Sequence, residues 1–135
     1  MVDKVLVIDD SALIRKMYRM ILSRYACEIV EAMNGQEALD TLAVQTDIQL
    51  IFVDINMPVM NGIQFLEKAA GLGIAKRLPI IVISTEGEDD KIRGLNCGAR
   101  GYLKKPFNPH ELHDLIAMIF PGNKKMPAPK PALDC

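Results

Sequence analysis

Polar residues of a particular kind stand directly behind short apolar runs. Asp9 and Asp10 follow Val5-Leu-Val-Ile8, Asp54 follows Leu50-Ile-Phe-Val53, Ser84 and Thr85 follow Pro79-Ile-Ile-Val-Ile83, and Lys105 follows Gly101-Tyr-Leu-Lys104. Three carboxylates gathered at one place raise each other's pKa unless a cation sits among them. With no His or Cys in the set, the matching cation is a hard, oxygen-liking one, Mg²⁺ or Mn²⁺, which keeps open positions for a phosphate oxygen. Lys105 adds a point positive charge and Ser84 a hydroxyl donor, so the set can neutralise phosphoryl oxygens around an acceptor. Phosphoryl transfer needs little more than such positioning and electrostatic stabilisation. Asp54, alone behind the middle run, is then the natural carboxylate nucleophile, forming an aspartyl phosphate. Each residue taken singly has a plainer reading: Asp9, Asp10 or Ser84 as a helix N-cap, Asp54 as the start of a turn, Lys105 as a solvated charge. Their joint occurrence behind successive runs favours the site.

The runs themselves are β-branched and continuous, and with Glu28-Ile-Val30 and the weaker Gly101-Tyr-Leu-Lys104 they predict five strands, most of them covered on both faces. The segments between them carry apolar residues at helical spacing. Ser11 caps a first helix with Leu13, Met17, Met20, Ile21 and Leu22 as its inward stripe and Arg15, Lys16, Arg19 and Arg24 in water; Asn34-Gly35 launches a second, over Gln36 to Val44, with Ala38, Leu39 and Leu42 inward. A third holds Ile63, Phe65, Leu66 and Ala69 and ends near Gly71-Leu-Gly73; a fourth runs from about Glu88 to Cys97 with Ile92 and Leu95; Asn108-Pro109 opens a fifth with Leu112, Leu115, Ile116 and Ile119. Strands alternating with helices predict right-handed crossovers and a doubly wound α/β fold with a parallel sheet. In such a sheet the ligand crevice lies beyond the carboxyl ends of the strands, where the polar residues stand.

Sixteen Lys+Arg against seventeen Asp+Glu leave a formal charge of −1, without the basic excess that direct nucleic-acid binding requires. No apolar run approaches the ~20 residues that span a bilayer, and Met1-Val2-Asp3-Lys4 opens no signal peptide, so no membrane insertion and a cytoplasmic location are expected. Cys27, Cys97 and Cys135 suit neither a disulfide framework nor zinc and are expected to be reduced bystanders. From Pro121 onward, Pro-Gly-Asn-Lys-Lys-Met-Pro-Ala-Pro-Lys-Pro has no apolar period, which predicts a domain over residues 1–120 and an extended tail or linker stub over 121–135.

The strings Val7-Ile8-Asp9-Asp10-Ser11, Val53-Asp54-Ile55-Asn56-Met57-Pro58-Val59-Met60-Asn61-Gly62, Ile83-Ser84-Thr85-Glu86 and Gly98-Ala99-Arg100-Gly101-Tyr102-Leu103-Lys104-Lys105-Pro106-Phe107 closely resemble the receiver domain of two-component response regulators. The resemblance covers about residues 3 to 120 and is strongest to single-domain, chemotaxis-type members. It implies a flavodoxin-like sheet in the order 2-1-3-4-5 and a phosphorelay role in which Asp54 accepts a phosphoryl group from a sensor histidine kinase. It further implies that Asp10, Asp54 and the backbone carbonyl of Asn56 bind Mg²⁺ directly and Asp9 through water. Ser84 and Lys105 would hold phosphoryl oxygens, Tyr102 would turn inward on activation, and Lys105-Pro106 would be a cis peptide. The implied partners are the kinase, a phosphatase, and a downstream protein target on the face made by the fourth helix, the strand Gly101–Lys104 and the last helix. The stretch from Ser84 to Lys105 is about one residue shorter than the family spacing, which shifts the bounds of the fourth helix.

Several features keep plainer alternatives. Glu86, Glu88, Asp89 and Asp90 read as a solvated helix N-terminus suited to the dipole rather than as a screen against phosphate. Met17, Met20, Met57, Met60 and Met118 are core fillers before they are a partner surface, and His110 and His113 are surface histidines before they are metal ligands. Tyr102, from strand position alone, is an edge-strand aromatic. A Mg²⁺-dependent phosphatase working through an aspartyl phosphate would want a general acid two residues past the nucleophile, where Asn56 stands. A receiver excised from a larger regulator with a DNA-binding or enzymatic output domain is the remaining alternative.

Overall fold

In the computed structural model, which describes residues 3–57, 59–85 and 88–121, the apolar runs become β1 (Lys4–Ile8), β2 (Glu28–Ala32), β3 (Leu50–Asp54), β4 (Ile80–Ser84) and β5 (Gly101–Lys104). They pair in parallel in the order β2-β1-β3-β4-β5. The helices are α1 (Ala12–Leu22), α2 (Gly35–Val44), α3 (Gly62–Gly71), α4 (Ile74–Arg77), α5 (Glu88–Asn96) and α6 (Pro109–Ile119). Glu86 and the expected tail beyond Pro121 lie outside the described residues.

The runs are continuous because alternate residues enter two cores. Leu6, Ile8, Ile51, Val53, Ile80 and Val82 pack with Ala38, Phe65 and Leu66 from α2 and α3. Val5, Val7, Phe52, Ile81 and Ile83 pack on the opposite face with Tyr18 and Leu22 from α1 and Leu112 and Ile116 from α6. Helix starts follow the capping residues: Ser11 accepts from the Ile14 N–H and Asn34 from the Glu37 N–H, while Asn61 with Gln64 and Asn108 with Glu111 form reciprocal capping boxes.

Expectations for three helical segments are corrected. Gly73, at φ 78°, turns the chain after α3 so that a further helical turn, α4, forms and buries Ile74. In α1 the inward stripe is rotated. Tyr18 packs its ring on Phe52 and Phe107, with centroids 5.4 and 6.0 Å away, and Leu22 follows it one turn later. Leu13 and Met20 are thereby turned to solvent at 75% and 70% exposure. In α5 the buried residues are Asp90 and Gly94, and Ile92 and Leu95 are exposed. A Cβ on Gly94 would lie 3.0 Å from the Val82 side chain, so α5 packs tightly on β4 at this position. The methionines divide: Met57 and Met60 are buried, Met20 and Met118 exposed.

Arg15, expected in water, is held instead. Its Nε donates to Glu31 at 2.7 Å and its Nη1 to the Asp9 carbonyl at 2.7 Å, while Arg19 Nε reaches the other Glu31 oxygen at 2.5 Å. Burial works to raise the Glu31 pKa, but the two guanidinium bonds outweigh it and hold the carboxyl below its ordinary value. A depressed folded pKa means stability that is present above the ordinary value and lost as pH falls through the folded one. Glu31→Gln should therefore lower stability at pH 7 by about 1 kcal/mol. The gap should begin to close as pH drops through 4.5. Urea melts across pH 3–7 check this; a constant gap over the range counts against it.

Candidate functional site

The sheet order reverses between β1 and β3, so the loops leaving these strands part and open a crevice over their carboxyl ends. Asp9 and Asp54 lie at its floor, 1% and 4% exposed, and Asp10 stands at its rim, exposed. One carboxylate oxygen from each falls within 4.8 Å of the others. The Ser11 N–H donates to Asp9 Oδ1 at 2.9 Å, which orients that carboxylate. Lys105 Nζ, delivered by the chain leaving β5, lies 3.3 Å from Asp9 Oδ2 and 3.3 Å from Asp54 Oδ1. The Lys105-Pro106 peptide is cis.

One ammonium thus faces two buried carboxylates with a third at the rim. Desolvation first, and the Asp9 charge second, push the Asp54 carboxyl above its ordinary pKa; Lys105 and the Asn56 N–H, 3.4 Å from Oδ1, oppose this without cancelling it. Excess negative charge on an all-oxygen donor set fits Mg²⁺ or Mn²⁺ and does not suit a soft metal. The sequence expectation of three mutually repelling carboxylates narrows here, because the buried repulsion is between Asp9 and Asp54.

Ser84 is fully buried at the end of β4. Asp54 pairs with Ile83 in the sheet, so Ser84 stands one step beyond it on the neighbouring strand. Its carbonyl accepts from the Lys105 N–H at 2.7 Å, joining the two elements that carry these side chains. Its hydroxyl donates to Asp90 Oδ2 at 2.5 Å. Thr85 is exposed. Tyr102 pairs with Val82 across the β4–β5 ladder and is half-buried against the core.

Asp90 is the site residue that sequence reasoning misplaced. Read as one of several solvated acids, it is 6% exposed, whereas Glu88 and Asp89 are exposed as expected. The available signal was Gly94, four residues on and so on the same helix face. His113 is likewise corrected: it is 3% exposed, hydrogen-bonded through Nδ1 to the Tyr25 hydroxyl, with ring centroids 5.1 Å apart, so it is a core histidine.

Gly62 closes the loop behind Asp54. Its N–H donates to the Ile55 carbonyl at 2.9 Å, and a Cβ there would lie 2.5 Å from the Asp54 carbonyl oxygen and 2.7 Å from Ile55 Cα. These are backbone atoms that cannot swing aside. Gly62→Ala should therefore cost about 1–3 kcal/mol of stability and shift the Asp54 and Ile55 amide resonances; melts and amide NMR check it, and unchanged melting removes the close-approach argument.

Among the described residues no helix is long and apolar enough to cross a membrane. The family model described as response regulator receiver domain matches residues 5–117. A chemotaxis protein, CheY1 of Helicobacter pylori, is 36% identical over 122 residues, covering 89% of this chain and 98% of that one. The transcriptional regulatory protein SrrA of Staphylococcus aureus is 39% identical over 113 residues, which are 83% of this chain and 45% of SrrA. Among solved structures, chemotaxis protein CheY4 of Vibrio cholerae superposes with a TM-score of 0.79 at 35% identity, covering 88% of this chain and 99% of that one.

Proposed function

This chain belongs to the response regulator receiver domain family, and from that premise we propose that Asp54 accepts a phosphoryl group from a sensor histidine kinase and that the aspartyl phosphate switches binding to a downstream protein. One observation carries the assignment of Asp54: it is the buried carboxylate at the end of the central strand, with Asp9 beside it and Lys105 at 3.3 Å.

An Asp54 carboxylate oxygen attacks phosphorus in line with the phosphohistidine nitrogen; the O–P bond forms as the N–P bond breaks, and the imidazole leaves with the electron pair. Lys105 holds one phosphoryl oxygen. Ser84 offers its hydroxyl to another after leaving Asp90. Asp9, Asp10, Asp54 and the Asn56 carbonyl are the groups assigned to Mg²⁺, which when bound neutralises charge on the transferring phosphoryl group. Burial of Asp54 keeps bulk water from competing with its carboxylate for phosphorus.

The chain acts as a switch that catalyses its own phosphorylation and dephosphorylation rather than turning over free substrates, since Asn56 offers no general acid two residues past the nucleophile. The downstream target docks on the face of α5, β5 and α6, with Ile92, Leu95 and Met118 exposed there. A phosphatase is a further partner, the cytoplasm the location, and residues 1–120 the functional unit. A match that covers 98% of the chemotaxis relative supports a receiver that works as a single domain. The transcriptional relative of greater length favours a second reading, a receiver within a longer regulator that has an output domain, and the full gene decides between them.

Incubation with acetyl phosphate and Mg²⁺ should add one phosphoryl group, mapped by mass spectrometry to the peptide holding Asp54, and none in EDTA. A label elsewhere, or one indifferent to divalent ions, removes the assignment.

A further inference from the structure

We infer that Asp90 is a positioning residue that latches Ser84 in the unphosphorylated state, so that phosphoryl binding requires the Ser84 hydroxyl to exchange Asp90 for a phosphoryl oxygen. The inference rests on the reading of Ser84 given under the proposed function. Both partners are buried, at 0% and 6% exposure, and the hydroxyl donates to Oδ2 of Asp90 at 2.5 Å. A hydroxyl bonded to a carboxylate at that length is among the stronger hydrogen bonds a protein makes. Because a hydroxyl has one proton, donation to Asp90 and donation to a phosphoryl oxygen on Asp54 exclude each other.

The helix is built to keep Asp90 inside. Gly94, on the same face one turn later, lets α5 approach β4 until a Cβ would touch Val82 at 3.0 Å, while apolar Ile92 and Leu95 point outward. The carboxylate also has somewhere to go. Its Oδ1 lies 3.8 Å from Nη1 of Arg93, whose side chain is 60% exposed. Asp90 and Arg93 border a cavity of about 530 Å³ shared with Asn56 and Asn61 beside the phosphorylation site. When Ser84 turns to the phosphoryl group, Asp90 moves into that cavity toward Arg93. The first turn of α5 moves with it, and so does the presentation of Ile92 and Leu95. The latch therefore sets how much phosphoryl-binding energy is used in opening the switch, a cost that lowers apparent affinity by the fraction of molecules already open.

Beryllofluoride with saturating Mg²⁺, a phosphoryl mimic, tests this by titration calorimetry. Asp90→Ala should bind it about tenfold more tightly than wild type, and Asp90→Asn by a smaller factor, because an amide oxygen still accepts a weaker bond. In a Ser84→Ala background the Asp90→Ala gain should shrink to less than about twofold. A gain that persists there, or Asp90→Ala binding within twofold of wild type, overturns the latch. One measurement needs no variant: the Asp90 side-chain carboxyl ¹³C resonance of the wild type should move when beryllofluoride binds, and an unmoved resonance overturns the latch even where the substitutions do not fold. A wild type that takes no beryllofluoride at Asp54 overturns both the latch and the receiver reading, whereas one that takes it with Asp90 unmoved overturns the latch alone.

Discussion

Asp54→Asn should abolish the Mg²⁺-dependent adduct completely and yet leave the metal-free protein more stable than wild type at pH 7, by about 1 kcal/mol. The two effects have one origin. Asp54 is buried beside Asp9, and desolvation, followed by the Asp9 charge, raises its pKa despite Lys105. A raised folded pKa means that the ionised form opposes folding. The contribution is fully favourable below the ordinary value of 3.8 and is lost as pH rises through the raised folded value. The asparagine, which never ionises, escapes that loss. Its advantage in EDTA should be largest at neutral pH and vanish as pH falls toward 3.8. Thermal melts from pH 4 to 8 with and without Mg²⁺ measure it. An asparagine variant that melts below wild type in EDTA at pH 7 would show that Asp54 supports the fold rather than straining it.

Much of this arrangement is legible in the sequence because it depends on periodicity that is local. A run such as Leu50-Ile-Phe-Val53 states that both faces of a strand are covered, and a residue directly behind it must stand at the strand's carboxyl end; four such runs place Asp9, Asp54, Ser84 and Lys105 at one edge by local pattern alone. Asn34, Asn61 and Asn108 mark helix starts by a chemistry that acts within three residues. What the sequence leaves open is the rotation of a helix about its axis when apolar residues are spread around it. In α1 the outcome turns on Tyr18 finding Phe52 and Phe107, which come from β3 and the loop before α6. In α5 it turns on Gly94 lying against Val82, and that places Asp90 inside and Ile92 outside, against the order that hydrophobicity alone suggests. His113 is decided in the same manner by Tyr25, 88 positions away in the chain. The charge pattern within the crevice is intermediate: the sequence identifies its members, but only the fold shows that Asp10 stays in solvent while Asp9 and Asp54 share one ammonium.

That shared ammonium gives Lys105→Met the opposite stability effect from Asp54→Asn, although the two side chains lie 3.3 Å apart. Lys105 is 20% exposed and its Nζ lies 3.3 Å from Asp9 as well. Removing it leaves both buried carboxylates without their ammonium, and orphaned buried ions are costly because desolvation has already occurred. Since the crevice opens at Asp10 and Lys105 is partly exposed, solvent screens the pair, and the loss in EDTA at pH 7 should be about 2–3 kcal/mol, below that of a fully buried broken pair. Two controls separate this from lost packing by the lysine stem. Methionine keeps most of the apolar stem, and Mg²⁺ should restore more stability to the variant than to wild type, because the cation then replaces a missing charge. Transfer from acetyl phosphate should fall by about 10²–10³-fold even at saturating Mg²⁺, the scale lost when one preorganised group facing developing charge is removed. Should Lys105→Met melt with wild type in EDTA while still losing transfer, the ammonium would act on the phosphoryl group alone, and the electrostatic balance drawn for the resting crevice would be wrong.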